Sequence, residues 1–477
     1  MRTGAGASTV GPLAVLLLAG ASLPAESADL QLKEAIRSGD HAAVRALLDD
    51  GADVKAPEAD GATVLHWAVR WDDPESVELL LGAGADAGAA NAYGVTPLSL
   101  ACINRSAPVV ARLLKAGADP NASTTMGETA LMTCARTGNL DAVSALLEHG
   151  TSNVNAREAS RGQTALMWAV AQGHADVVRI LIEHGADVQA RTESRSLLVS
   201  VGGRGDERAR ELPLGGFTPL LFAARHGQVE SARHLLDAGA DVNERGPDGA
   251  SALVTASFSG HGELAAFLLE RGAEPNAAGA GYAALHTAVL RADATLVRTL
   301  IAHGADPDVR LTGGSRVPRA TNWWILPASL AGATPFLLAA KYADVEIMRI
   351  LAEYGANPFL PLRNGTTPLM MAAGADWSNG EIDRHYRRVP PEVAEALHAD
   401  ERPNLEATRF ALSLGADVNA RNDAGDTALH SAVFKAWPGV IDALVAHGGD
   451  MQAMNDRQRT PLQMMCYEGD KLVRCAG

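Results

Sequence analysis

The stretch Gly162-Gln163-Thr164-Ala165-Leu166-Met167-Trp168-Ala169-Val170-Ala171-Gln172-Gly173-His174-Ala175-Asp176-Val177-Val178-Arg179-Ile180-Leu181-Ile182-Glu183-His184-Gly185-Ala186-Asp187-Val188 decides the fold. Thr164 is a good N-cap, because its hydroxyl accepts from an orphan backbone N–H. An apolar face begins at Leu166, and Gly173 supplies the left-handed residue that ends a short helix. Asp176 to Ile182 then place apolar residues at helical spacing, which predicts a second helix. Gly185 ends it in the same way. Ala186 to Ala190 cross to the next unit as an extended finger. One such unit has too little apolar surface to fold alone.

The pattern recurs along the chain. Thr-(Pro/Ala)-Leu or a near variant begins at Thr63, Thr96, Thr129, Thr164, Thr218, Ser251, Ala283, Thr334, Thr367, Thr427 and Thr460. Most intervals fall within two residues of 33, and the exceptions are 54, 51 and 60. The glycines of Gly-Ala-Asp, from Gly51 through Gly185 to Gly448, give the same spacings. Two rulers in agreement define a repeat array rather than the three or so domains that 477 residues would otherwise imply.

These residues, and Gly216-Phe-Thr-Pro-Leu-Leu-Phe-Ala-Ala-Arg-His-Gly beside them, resemble ankyrin repeats across roughly residues 30 to 475. The resemblance implies an all-α solenoid of helix-turn-helix units with extended fingers. About ten tagged repeats follow an N-terminal capping helix pair at residues 30–50, and a partial repeat begun at Thr460 is expected to stop within its second helix. The family's usual His after the tag leucine stands only at His66, His286 and His430, so some inter-finger hydrogen bonds are expected to be missing. Three insertions, at about 191–215, 311–332 and 378–403, are expected to be surface loops.

The balance of 41 basic and 56 acidic residues gives a net charge of −15, the wrong sign for a nucleic-acid binder. Aromatics are only 4%, so the core is built from Ala, Leu and Val. Residues 1–28 read as a secretory signal: Arg2, an apolar stretch from Val10 to Leu23, and small residues around an expected cut after Ser27. That stretch is shorter than the roughly 20 residues of a membrane span, and an uncleaved N-terminal anchor is the alternative. Residues 29–477 then form the solenoid of an exported protein, periplasmic or secreted, with no membrane span in the mature chain and expected to be a monomer.

No phosphate-binding loop, zinc-protease, nucleophile-elbow or Cys-x-x-Cys pattern occurs, so no cofactor, metal or catalytic residue is expected. Two weaker readings are an enzyme built on the Glu381-Asp383-His385 cluster and a regulatory or protective subunit of a periplasmic enzyme. His149, His184, His303 and His447 precede repeat-ending glycines and read as favourable charges at helix C-termini. Cys102, Cys134 and Cys466 read as core residues, and four Cys are too few for a disulfide scaffold.

The resemblance places a protein-binding groove on the first helices and fingers. Four residues after each tag start, the groove position holds Trp67, Leu100, Thr133, Trp168, Phe222, Thr255, Thr287, Leu338, Met371 and Ser431. Three further on come Arg70, Arg136, Arg225 and Phe258. Trp, Phe, Met and Arg are enriched at interface centres. The expected partner-binding set is Trp67, Arg70, Leu100, Trp168, Phe222, Arg225, Phe258, Leu338 and Met371, with Trp323 and Trp324 in an insertion. The competing reading packs these rings against neighbouring repeats.

Overall fold

The structure is a computed structural model that describes residues 25–150, 153–200, 209–313, 328–375, 400–468 and 471–473. Ten helix pairs follow the capping pair α1 (Ala25–Ser38) and α2 (His41–Asp49). They are α3 (Val64–Arg70) and α4 (Pro74–Gly82), α5 (Pro97–Ile103) and α6 (Ala107–Lys115), α7 (Ala130–Thr137) and α8 (Leu140–Glu148), and α9 (Ala165–Gln172) and α10 (Ala175–Glu183). Beyond the first insertion come α11 (Pro219–His226) and α12 (Val229–Asp237), α13 (Ala252–Ser259) and α14 (Gly262–Glu270), and α15 (Ala284–Leu290) and α16 (Ala294–Ala302). The last are α17 (Pro335–Lys341) and α18 (Val345–Glu353), α19 (Pro368–Ala372) and α20 (Arg402–Ser413), and α21 (Ala428–Lys435) and α22 (Pro438–Ala446). First helices pack on first helices and second on second, each unit against its neighbours.

The tag residues do what their chemistry dictates. The Thr164 and Thr218 hydroxyls accept from Met167 N and Leu221 N, closing each first helix at its start. The tag leucines, Leu65 to Leu429 with Phe336 in one repeat, are 0–1% exposed and form one continuous core with Val77, Leu80, Leu113, Leu146 and Leu181 of the second helices. Each buried side chain of this size contributes about 1.5–3 kcal/mol. The Asp of Gly-Ala-Asp folds the following turn: Asp187 Oδ1 accepts from Gln189 N at 2.9 Å, and Asp241, Asp417 and Asp450 repeat the bond.

Neighbouring fingers are sewn together. Ala92 N donates to Asp60 O, Thr125 N to Tyr93 O, and Ala159 N to Met126 O. Asparagines clamp successive turns: Asn155, Asn276 and Asn419 each donate to the glycine carbonyl of the next repeat and accept from a backbone N–H just beyond it. The three tag histidines bridge repeats as well. His286 Nδ1 accepts from Ala283 N at 3.1 Å, which leaves its proton on Nε2, within 3.3 Å of Ala333 O; His66 and His430 do the same. Where His is replaced, Ser99 and Gln463 keep only the bond to their own cap.

Several expectations need correction. Cys102 and Cys134 are fully buried, as expected, but they form a disulfide joining α5 to α7, with Cα atoms 4.6 Å apart. Offsets of six and five from successive tags bring equivalent faces of adjacent helices together. The insertion at 191–215 carries an antiparallel pair, β1 (Arg195–Ser200) with β2 (Ala209–Leu214), which extends the finger as a ribbon. The repeats themselves are the all-α solenoid expected, and this ribbon is confined to the insertion. Among the described residues the unit begun at Thr460 has no second helix: a 3-10 turn (Leu462–Met464) leads into β3 (Cys466–Glu468) paired with β4 (Lys471–Val473). The expected cut after Ser27 falls within α1, and residues 1–24 lie outside the described residues.

Candidate protein-binding face

Of the expected binding residues, those of the first six repeats stand together on the first-helix side, facing the fingers. Trp67, Leu100, Trp168, Phe222 and Phe258 are half-buried. Their backs rest on the core or on each other while one side stays open. Trp67 lies 5.4 Å from Trp71, centroid to centroid, and its Nε1 donates to Glu58 of the finger at 2.8 Å. Lys33 covers its ring at 3.7 Å and pairs with the same Glu58 at 2.6 Å. Trp168 Nε1 donates to Gln163 Oε1 at 2.9 Å, and the Arg136 guanidinium sits 5.1 Å from its ring. Phe222 pairs with Phe217, and Phe258 with Tyr282, each at 6.1 Å. The packing and the binding readings thus describe two sides of the same rings.

Arg70, Arg136 and Arg225 are exposed between these rings. Beside Arg225, burial and then that positive charge hold the His226 imidazole below its ordinary value.

Farther along, the face closes. Leu338 and Met371 are 0% exposed and belong to the core, so they present no binding surface. Equivalent sites around them, Thr287, Leu290 and Lys341, are buried too. Trp323 and Trp324 and the Glu381-Asp383-His385 cluster lie outside the described residues. Sequence reasoning missed Phe434, 55% exposed seven residues after its tag start, and Ile103, 51% exposed at the same offset. The register that located Arg70 would have found both.

The repeat-ending histidines turn back onto their own helices: Nδ1 of His184, His303 and His447 lies 2.8–2.9 Å from the carbonyl four residues earlier. A buried carboxyl stands at the base of the β1–β2 ribbon. Thr218 Oγ1 donates to Glu244 Oε1, and Arg191 reaches its other oxygen at 3.8 Å. Burial pushes this carboxyl up to about 7 despite those partners.

Models of ankyrin repeats in three copies match residues 32–124, 98–192, 196–279 and 220–311, a many-copy model matches 395–436, and a single-repeat model matches 331–361. The chain belongs to the ankyrin-repeat family. It is 45% identical over 93 residues to an ankyrin repeat-containing protein of Treponema pallidum (strain Nichols), covering 19% of this chain and 31% of that protein. It is 30% identical over 288 residues to neurogenic locus notch homolog protein 1 of Danio rerio, 57% of this chain and 10% of that one. The chain thus spans a third or less of these relatives. The human ASB11 ankyrin repeat domain is similar at 26% identity with a TM-score of 0.42, over 51% of this chain and 98% of that one. Among the described residues, no helix is long and apolar enough to cross a membrane.

Proposed function

We propose that this protein is an exported, non-catalytic scaffold that binds a protein partner along the first-helix face of its first six repeats. The observation that carries the reading is the row of half-buried rings from Trp67 to Phe258, supported from behind and interleaved with exposed arginines. Residues that combine a rigid aromatic body with a reachable face are those on which interface energy concentrates. Trp67, Arg70, Leu100, Trp168, Phe222, Arg225 and Phe258 form the proposed contact set. Two features support export: the signal-like first 28 residues, and the Cys102–Cys134 bridge, a bond that persists in oxidising compartments.

Trp168→Ala and Phe222→Ala test the binding role. They are expected to weaken partner capture tenfold or more while lowering the unfolding midpoint only modestly. Unfolding with no separate loss of affinity would make the rings purely structural. Fractionation and N-terminal sequencing test export, and an intact Met1 on a cytosolic chain would refute it.

A further inference from the structure

Charge is sorted between the two helices of each repeat. Not one Asp or Glu stands on any of the ten first helices; every acidic residue of the ten helix pairs stands on a second helix. The charged groups on the first helices are all basic, and Lys341 and Lys435 among them are buried. The three exposed ones, Arg70, Arg136 and Arg225, belong to the first, third and fifth repeats. None of the three is paired with a carboxylate among the described residues. Lys33, near the mouth of the face, is already neutralised by Glu58. At the same offset the apolar Ile103 stands between the first two arginines, Ala171 between the second and third, and Phe258 follows the third. In a chain of net charge −15 this is a local positive stripe, alternating basic with apolar residues and flanked by the aromatic row.

We infer that this face takes an acidic peptide segment of a protein partner, its carboxylates meeting Arg70, Arg136 and Arg225 in turn and its apolar side chains falling between them. The inference rests on the binding role proposed above and specifies its partner. Guanidinium groups present a fixed fork that matches a carboxylate, and complementary charge sets encounter rate and register. Helices of adjacent repeats lie about 8–10 Å apart, so the arginines recur about every 16–20 Å. An extended chain rising about 3.3 Å per residue would place its acids about five or six residues apart. The segment ends near Phe258, because the next two equivalent positions, Leu290 and Lys341, are buried and separate it from the exposed Phe434. A nucleic-acid strand is the competing anion, and the overall acidity of the chain disfavours it.

The test selects peptides from a random 16-residue phage library on the full chain and measures affinities of the selected peptides by fluorescence anisotropy. Expected are acidic peptides that lose tenfold or more affinity to the Arg70→Glu/Arg136→Glu/Arg225→Glu protein, whose unfolding midpoint is unchanged. The same peptides should lose as much when their Asp and Glu become Asn and Gln, and their binding should weaken as salt rises from 50 to 300 mM. Neutral or basic peptides that bind the triple variant normally but are lost with Trp168→Ala would overturn the acidic specificity and leave the binding face standing. Peptides indifferent to both variants would overturn the face itself. Displacement by an equimolar oligothymidylate would reassign the stripe to nucleic acid.

Discussion

His286 shows how one side chain ties two repeats together and what that costs in acid. It is 0% exposed, and burial pushes its imidazole down to about 4, since desolvation disfavours the charged form. Its Nδ1 must stay unprotonated to accept from Ala283 N. The unfolded chain takes up a proton near pH 6.5, while the folded chain does so only near 4. The stability from the neutral ring is therefore complete above about 6.5 and is lost as pH falls toward 4, at about 1.4 kcal/mol per unit. Glu244 works the other way. With its folded value raised to about 7, its contribution is complete below the ordinary carboxyl range and is lost as pH rises through 7. His286→Gln, which copies the cap bond of Gln463, is expected to flatten the fall in urea midpoint between pH 6.5 and 4. Glu244→Gln is expected to steepen it. An unchanged pH slope in His286→Gln would mean that another group controls acid sensitivity.

In nine of the ten repeats a left-handed residue nine positions after the tag start follows the first helix (α19 turns earlier, at Gly374), and these stops reveal what was legible and what was not. Glycine fills the left-handed site at Gly138, Gly173, Gly227 and Gly260, and those four stops could be read directly. Asp72, Arg105, Ala292, Ala343 and Ala436 adopt the same conformation, with φ between 52° and 61°. No local signal marks them, because packing of the neighbouring repeats, not residue preference, imposes the turn. An alanine there carries about 1–2 kcal/mol of strain, offset in part by the entropy glycine loses on folding. Ala292→Gly, at an exposed site, is thus expected to stabilise by about 0.5–1 kcal/mol. Gly173→Ala is expected to destabilise, because at φ 78° an alanine takes on that left-handed strain, while the Gln228 amide beside it can move aside. Thermal melts check both signs. The repeat register, caps and tag core were equally legible, since period and cap chemistry are local. The Cys102–Cys134 bridge was not, because spacing alone does not say which packed faces meet at bonding distance. The closure of the face at Leu338 and Met371 likewise depends on how adjacent repeats sit, which no single repeat encodes. The β1–β2 ribbon escaped for a different reason: its strands lie in an Arg-rich insertion without a sustained alternation of apolar residues.

Over the whole molecule, stability is a sum of repeat and interface terms, so it need not be uniform along the array. The two ends differ. At the N-terminal end α1 exposes Glu34, Arg37 and one apolar residue, Leu30, while Leu32, Ala35 and Ile36 turn inward. At the other end Leu462, whose ten counterparts are 0–1% exposed, is 49% exposed, and Val445 and Met454 are 44% and 50% exposed. Near the first end the Cys102–Cys134 bridge closes a 32-residue span across adjacent repeats, worth about 3–4 kcal/mol by loop entropy. Native-state hydrogen exchange should therefore be graded, with α5 to α9 slowest and α21 with α22 fastest among the helix pairs. Reduction, or Cys102→Ser with Cys134→Ser, should speed exchange in α5 and α7 and leave α21 and α22 unchanged, because repeats touch only their neighbours. If both ends accelerate together, the array unfolds as one cooperative unit and the nearest-neighbour description fails for this chain.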